Sequence, residues 1–113
     1  MLDLDFKKVE GVAVGQATLH SAAGATDDGD WVNVEAIGAW SIDVTGISGD
    51  TLKARGSNKV TIPADSDDER SLGSDIKKDG VRQYNAPIKW FKVKISDYNA
   101  GVITVVMKVR NSI

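Results

Sequence analysis

The sequence predicts an all-β protein: an antiparallel β-sandwich of about seven to eight short strands with an N-terminal extended arm. Two observations carry this. Apolar and polar residues alternate over short runs, and no helical period is sustained anywhere. Clusters of Gly, Asp and Asn separate those runs as turns do. At 113 residues and 42% hydrophobic content, the chain can bury one core but is too short for two ordinary domains. We divide it into an arm, residues 1–14, and a sandwich domain, residues 15–113.

In order, Leu2, Leu4 and Phe6 alternate with Asp3, Asp5 and Lys7, the pattern of an extended arm. Val9, Val12 and Val14, interrupted by Gly11 and Gly15, keep no single period, so a bend is expected there. Residues 17–25 are small and weakly patterned, and residues 24–30 read as a turn. From Val32 to Gly46 every even position is apolar or glycine. One strand of that length would be about twice the usual one, so Ile37-Gly38 marks a bulge or a passage from one sheet to another. Two strands follow, residues 31–36 and 39–45. Residues 51–55 form the next, with Leu52 and Ala54 inward, and residues 59–63 form a short strand stopped by Pro63. Residues 64–74 are the most polar stretch and read as a surface loop that only Leu72 can anchor. Residues 76–81 end a strand and turn, and 82–85 lead into the last quarter.

That last quarter has the strongest pattern. Two alternating runs flank Ser96-Asp97-Tyr98-Asn99-Ala100-Gly101, which predicts a β-hairpin. Pairing Ile95 with Ile103 puts Phe91, Val93, Ile95, Ile103, Val105, Met107 and Val109 on one face, the core face. The same register sets Trp90 opposite Lys108, Lys92 opposite Val106 and Lys94 opposite Thr104. With Arg110 at the open end, the other face is cationic and holds a tryptophan.

Several chemistries are missing. With no cysteine, there is no disulfide scaffold, thiolate zinc site or cysteine nucleophile. The formal charge of -2 gives no reason to expect nucleic acid as a partner. Residues 1–5 open with acid and lead into no long apolar run, so neither a signal peptide nor a membrane span is expected. His20 is the only histidine, with no carboxylate beside it in sequence, and reads as a packing or surface residue. Asp27, Asp28 and Asp30 could feed a calcium ion but lack the spacing and closing Glu of an EF-hand loop, so a solvated turn is expected. Asp65, Asp67, Asp68 and Glu69 could supply paired carboxylates, yet a loop this polar is not expected to desolvate an acid. We therefore expect no catalytic residue, no metal and no cofactor. Trp40 shares core parity with Ile42 and Val44. Trp31 and Trp90 have the opposite parity and are expected at the surface. With Tyr84 or Tyr98 they would make an aromatic platform, the basis of an alternative reading as a carbohydrate-binding module.

The segments 38–46, Gly49-Asp50-Thr51-Leu52, Gly56-Ser57-Asn58, Asp79-Gly80-Val81, 87–95 and 98–105 together give the chain a resemblance to a class of small tailed-bacteriophage virion proteins. These are β-sandwiches that decorate or cement capsids, with related modules in tails. The resemblance implies a non-enzymatic structural protein of the capsid exterior, assembled in the host cytoplasm. It also implies the major capsid protein and copies of the chain itself, as a homotrimer, for partners, with no nucleic acid and no membrane. On that reading the expected contact residues are Trp90, Lys92, Lys94, Lys108 and Arg110 on the cationic face, and Leu2, Leu4 and Phe6 on the arm. A tail or neck component is the nearest structural alternative.

Overall fold

In the computed structural model, residues 5–9, 12–64 and 69–112 are described, with side chains over 15–64 and 69–109. Among the described residues, nine strands are formed: β1 (Asp5–Val9), β2 (Val12–Ala23), β3 (Val32–Asn33), β4 (Ala39–Thr45), β5 (Thr51–Ser57), β6 (Arg70–Ser71), β7 (Gly80–Asn85), β8 (Trp90–Asp97) and β9 (Ile103–Ser112). They make a five-stranded sheet in the order β1-β2-β9-β4-β7 and a four-stranded sheet in the order β3-β8-β5-β6. Every pairing is antiparallel. The all-β antiparallel sandwich expected from the alternating runs is the fold.

The break expected at Ile37-Gly38 is a passage between sheets: β3 lies in the four-stranded sheet and β4 in the five-stranded one. Gly38 takes φ +72°, a backbone that β-carbon sterics disfavour, and this lets the chain turn from one layer to the other. Ala36 and Gly38 at the break are exposed, and the inward even parity of Val32 and Val34 resumes at Trp40, Ile42 and Val44, because each sheet presents its inner face to the same core. Ile42 and Val44 from one layer are fully buried, as are Leu52, Phe91 and Ile103 from the two layers together.

The hairpin expected between residues 91–95 and 103–109 is not formed. β8 pairs with β3 and β5, whereas β9 pairs with β2 and β4 in the other sheet. All seven residues assigned to the core face are buried, but they meet across the sandwich instead of side by side. Alternation reports which face of a strand is dry and leaves open whether its partner lies beside it or opposite. Indeed, every connection except β1–β2 and β5–β6 passes from one sheet to the other.

Two of these crossings fasten each other. Residues 46–50 carry β4 to β5, and residues 98–102 carry β8 back to β9. Asp50, 1% exposed, lies between them. Its Oδ2 accepts from the amides of Ser48 at 2.8 Å and Gly101 at 3.0 Å, and its Oδ1 accepts from the amide of Asn99. The Gly46 carbonyl accepts from Val102 N–H at 3.1 Å, and Tyr98 Oη donates to the Gly101 carbonyl at 2.7 Å. A β-carbon on Gly101 would overlap both the Asp50 carboxylate and the Gly46 carbonyl, so this position admits glycine alone.

Burial by itself would raise the Asp50 pKa, but the amides of Asn99, Ser48 and Gly101 outweigh it and hold the carboxyl below its ordinary 3.8. A depressed carboxyl contributes stability that is complete above its unfolded pKa and lost as the pH falls through the folded one. Asp50→Asn, whose NH₂ would face backbone donors, is expected to lower the melting temperature at neutral pH. It is also expected to flatten the acid limb of stability. Thermal melts across the acid range check this; a variant with the wild-type acid limb would remove Asp50 from it.

One local expectation fails, and two stretches carry more structure than their sequence announces. Residues 59–63 form no strand, and Val60 projects into solvent instead. Asp27, Asp28 and Asp30 are exposed, as expected of a solvated turn, with Gly29 N–H donating to Asp27 Oδ1 at 2.8 Å, and the backbone of Asp27 also bridges Ile95 of β8, with N···O distances of 2.8 and 3.2 Å. Residues 17–23, unpatterned in the sequence, belong to the twelve-residue β2. Register shifts between Thr18 and His20 and between His20 and Ala23 explain the lost period, since they bring Leu19 and His20 inward together. His20 Nε2–H then donates to the Val93 carbonyl at 2.7 Å, in the other layer.

Candidate interaction surfaces

The expected contact residues are not on one face. Lys92 and Lys94 lie on β8 in the four-stranded sheet, and Lys108 and Arg110 lie on β9 in the five-stranded sheet. Lys108 is exposed and pairs with Ser41 and Gln16. Arg110 is described by its backbone alone, opposite Val14. Phe6 is likewise described by its backbone, opposite Gly15 in the edge strand β1, and Leu2 and Leu4 lie outside the described residues.

Trp90 and Lys92 are buried, each 5% exposed, although their parity points them away from the core. The groups against them come from outside β8: Lys59 on Trp90, and Glu69 and Trp31 on Lys92. Trp90 Nε1–H donates to the Lys59 carbonyl at 3.0 Å. Trp31, also buried, stands with its ring centroid 4.6 Å from Lys92 Nζ, close enough for a cation–π contact. The tryptophans at these two positions are therefore packing residues of an outer layer and present no aromatic platform.

Glu69 completes that layer. Its Oε2 lies 2.6 Å from Lys92 Nζ and its Oε1 3.1 Å from Lys94 Nζ, with Arg55 Nε at 3.8 Å. The register explains the need for it: Arg55 pairs with Lys92 and Lys53 with Lys94, so four cations crowd two adjacent strands. Like charges directly opposite are destabilising unless a counter-charge intervenes. Burial works to raise the Glu69 pKa, but hydrogen bonds and Coulomb attraction from Lys92 and Lys94 win and depress it. Burial likewise works to lower the Lys94 pKa, and its bonds to Glu69 and Asp28 raise it above 10.5. The polar loop thus does desolvate an acid, contrary to the reading of residues 64–74 as anchored by Leu72 alone. Asp65, Asp67 and Asp68 lie outside the described residues.

The cationic strip is an internal fastening. Lysines alternating with apolar residues normally mark a wet face, and no local pattern told that a residue 25 positions away would cover Lys94. The one available hint was a strand with cations on one parity and a tryptophan among them, in a chain that also has a dense acidic run. Among the described residues, no group of three or more His, Asp or Glu is placed to hold a metal ion.

The remaining outer surface belongs to the five-stranded sheet. A cleft of about 640 Å³ is lined by Ala39, Ser41, Gln83, Asn85 and Lys108, on the outward parity of β4, β7 and β9, together with Trp40, Tyr84 and Val109 of the inward parity. A second cleft, of about 510 Å³, lies beside the β5–β6 connection, over Gly56, Leu72 and Ile88.

Neither a known protein family nor a curated protein matches the sequence. Among solved structures, NMB1881 from Neisseria meningitidis aligns over 94% of this chain and 82% of its own at 9% identity, but its TM-score of 0.38 is too low to bear on the fold. The SPBc2 prophage-derived protein YomS superposes with a TM-score of 0.70 at 14% identity, covering 93% of this chain and 99% of that one, so the two share a fold from end to end.

Proposed function

We propose that this chain is a non-enzymatic structural component of a tailed-phage particle, seated on the capsid exterior as a decoration or cement protein. The observation that carries the reading is the whole-chain likeness to a prophage-derived protein. The build agrees with such a role. Charged groups that could have served a site are engaged in fastening: Glu69 ties the outer layer to β8, and Asp50 ties two sheet crossings together. On this reading the major capsid protein and further copies of the chain are the partners, because a cement protein acts by spanning subunit boundaries. With Lys92 and Lys94 engaged internally, attachment falls to the exposed loops, to Lys108 with the outer face around it, and to the N-terminal arm.

The test is localisation. Particles made from the genome that encodes this chain are expected to contain it in many copies, with an antibody to it labelling heads. Its absence from purified particles would overturn the structural reading, and label confined to tails would replace decoration by a tail or neck role.

A further inference from the structure

The outer face of the five-stranded sheet is hollowed by the lengths of its side chains. On β4 the outward residues Ala39 and Ser41 are short. Longer ones flank them: Gln83 and Asn85 on β7, paired with Ser41 and Ala39, and Lys108 on β9, paired with Ser41. Two strand spacings separate β7 from β9, so these walls stand about 9–10 Å apart over a floor of small residues. That is the cleft of about 640 Å³.

Its hydrogen-bonding groups are idle. Among the described residues, no hydrogen bond or ion pair engages the side chains of Ser41, Gln83, Tyr84, Asn85 or Lys108. Elsewhere Asn58, Ser96 and Asn99 each bind a backbone group. Exposed amides can turn to water, but one group of the lining cannot. Trp40, 4% exposed, also lines the cleft, and its Nε1 is the one buried side-chain polar atom among the described residues without a partner. A buried donor left unpaired is destabilising, which points to an acceptor that the chain does not supply.

The lining also selects the ligand. It contains no carboxylate, so it offers a cation no anionic group, and its single ammonium is too little for a polyphosphate. Amides and hydroxyls both donate and accept. Burial raises the Tyr84 pKa above its ordinary 10.0, so its hydroxyl keeps both capacities. Ala39 and Val109 add apolar contact. This mixture matches a ligand that carries many hydroxyl groups on an apolar frame.

We propose that the cleft is a saccharide site, taking a neutral oligosaccharide between β7 and β9. Gln83, Asn85 and Ser41 bind its hydroxyl groups, and Trp40 Nε1–H gains an acceptor from it or from a water it traps. The site is distinct from the aromatic platform expected at Trp31 and Trp90, both of which are buried. It goes beyond the proposed function: a copy attached to a capsid by its loops and arm would keep this face outward.

The experiment applies the full chain to an array of immobilised neutral and charged oligosaccharides. Wild type is compared with the double variant Gln83→Ala, Asn85→Ala and with Lys77→Ala, an exposed position outside the cleft. Wild type and Lys77→Ala are expected to retain at least one neutral oligosaccharide, and the double variant to bind it about tenfold more weakly or worse. Equal melting temperatures would show that the three fold alike. In the ¹H–¹⁵N spectrum, the Trp40 indole signal, identified by its loss in Trp40→Phe, is expected to move when that oligosaccharide is added. Retention of no neutral oligosaccharide, equal retention by the double variant, or a Trp40 signal that stays put overturns the proposal. None of these outcomes touches the proposed function, which rests on the presence of the chain in particles.

Discussion

Trp40→Ala is expected to destabilise the protein by about 3–5 kcal/mol, the range for truncating a large aromatic in a core. Trp40 is 4% exposed, and its ring is the hub of an aromatic cluster that joins the two layers. Tyr84, its neighbour in the five-stranded sheet, stacks on it at 5.9 Å between centroids and 17° between planes. Phe91, from the four-stranded sheet, meets it edge-on at 5.0 Å and 61°. Removing the indole would open a cavity between layers that the rigid sheets cannot collapse around. Trp40→Phe is a sharper test of the same site. Trp40 Nε1 is buried with no hydrogen-bond partner, so phenylalanine gives up area but also removes an unsatisfied donor. It is expected to cost only about 1 kcal/mol. Urea denaturation of the two variants measures both. A cost for Trp40→Ala below about 1 kcal/mol would mean that the cluster is not the joint between layers.

Glu69→Ala is expected to cost about 2–4 kcal/mol, because it strands Lys92 in a covered site with no other anion in reach among the described residues. Among the described residues Lys94 retains Asp28, whose side chain is 80% exposed. Replacing both members of the close pair, Glu69→Met with Lys92→Met, is expected to recover most of the loss, since an apolar stem can still pack beneath Trp31. The pH dependence carries the same signature. The depressed Glu69 pKa means a contribution complete above its ordinary 4.5 and lost as the pH falls through the lower folded value. The raised Lys94 pKa means a contribution complete below 10.5 and lost as the pH rises through the higher folded value. Between these limits the stability from this pair is flat, and Glu69→Ala should erase the acid flank and shrink the alkaline one, part of which Asp28 sustains. Wild-type stability in Glu69→Ala would show that the outer layer is held by Trp31 and Trp90 alone. For the same reason, charge reversal at Lys92 is a poor probe of attachment, because it would unfasten the fold first.

What the sequence told and what it withheld divide along one physical line. Burial of each strand's inner face was legible, because a dry face imposes period two wherever the chain is extended: Trp40, Ile42, Val44, Phe91, Val93 and Ile103 all read correctly. The sheet passage at Ile37-Gly38 was legible from excess strand length. Strand partners were not, since the loop at Asn99-Ala100-Gly101 suits a hairpin and a sheet crossing equally well. The deciding contacts come from Asp50, far away in the chain. The outer layer was hidden for a related reason. Lys92 and Trp90 carry the signature of a wet face, and only the returning Glu69 makes that face dry. Of the expected contact residues, Trp90, Lys92 and Lys94 come from that misread face, while residues 59–63 carry the alternation of a strand without forming one.

The position of β9 has a consequence for how the molecule comes into being. It follows every other described strand in sequence, yet it lies in the middle of its sheet, bonded to β2 on one side and β4 on the other. Nothing in β2 or β4 can complete its ladder toward the middle until residues 103–112 have left the ribosome. With so few neighbouring strands paired in sequence order, loop-closure entropy must be met before most contacts form, which favours slow, late and cooperative folding. Nascent chains lacking β9 would display two unpaired strand edges, and are the species in which aggregation during synthesis should begin.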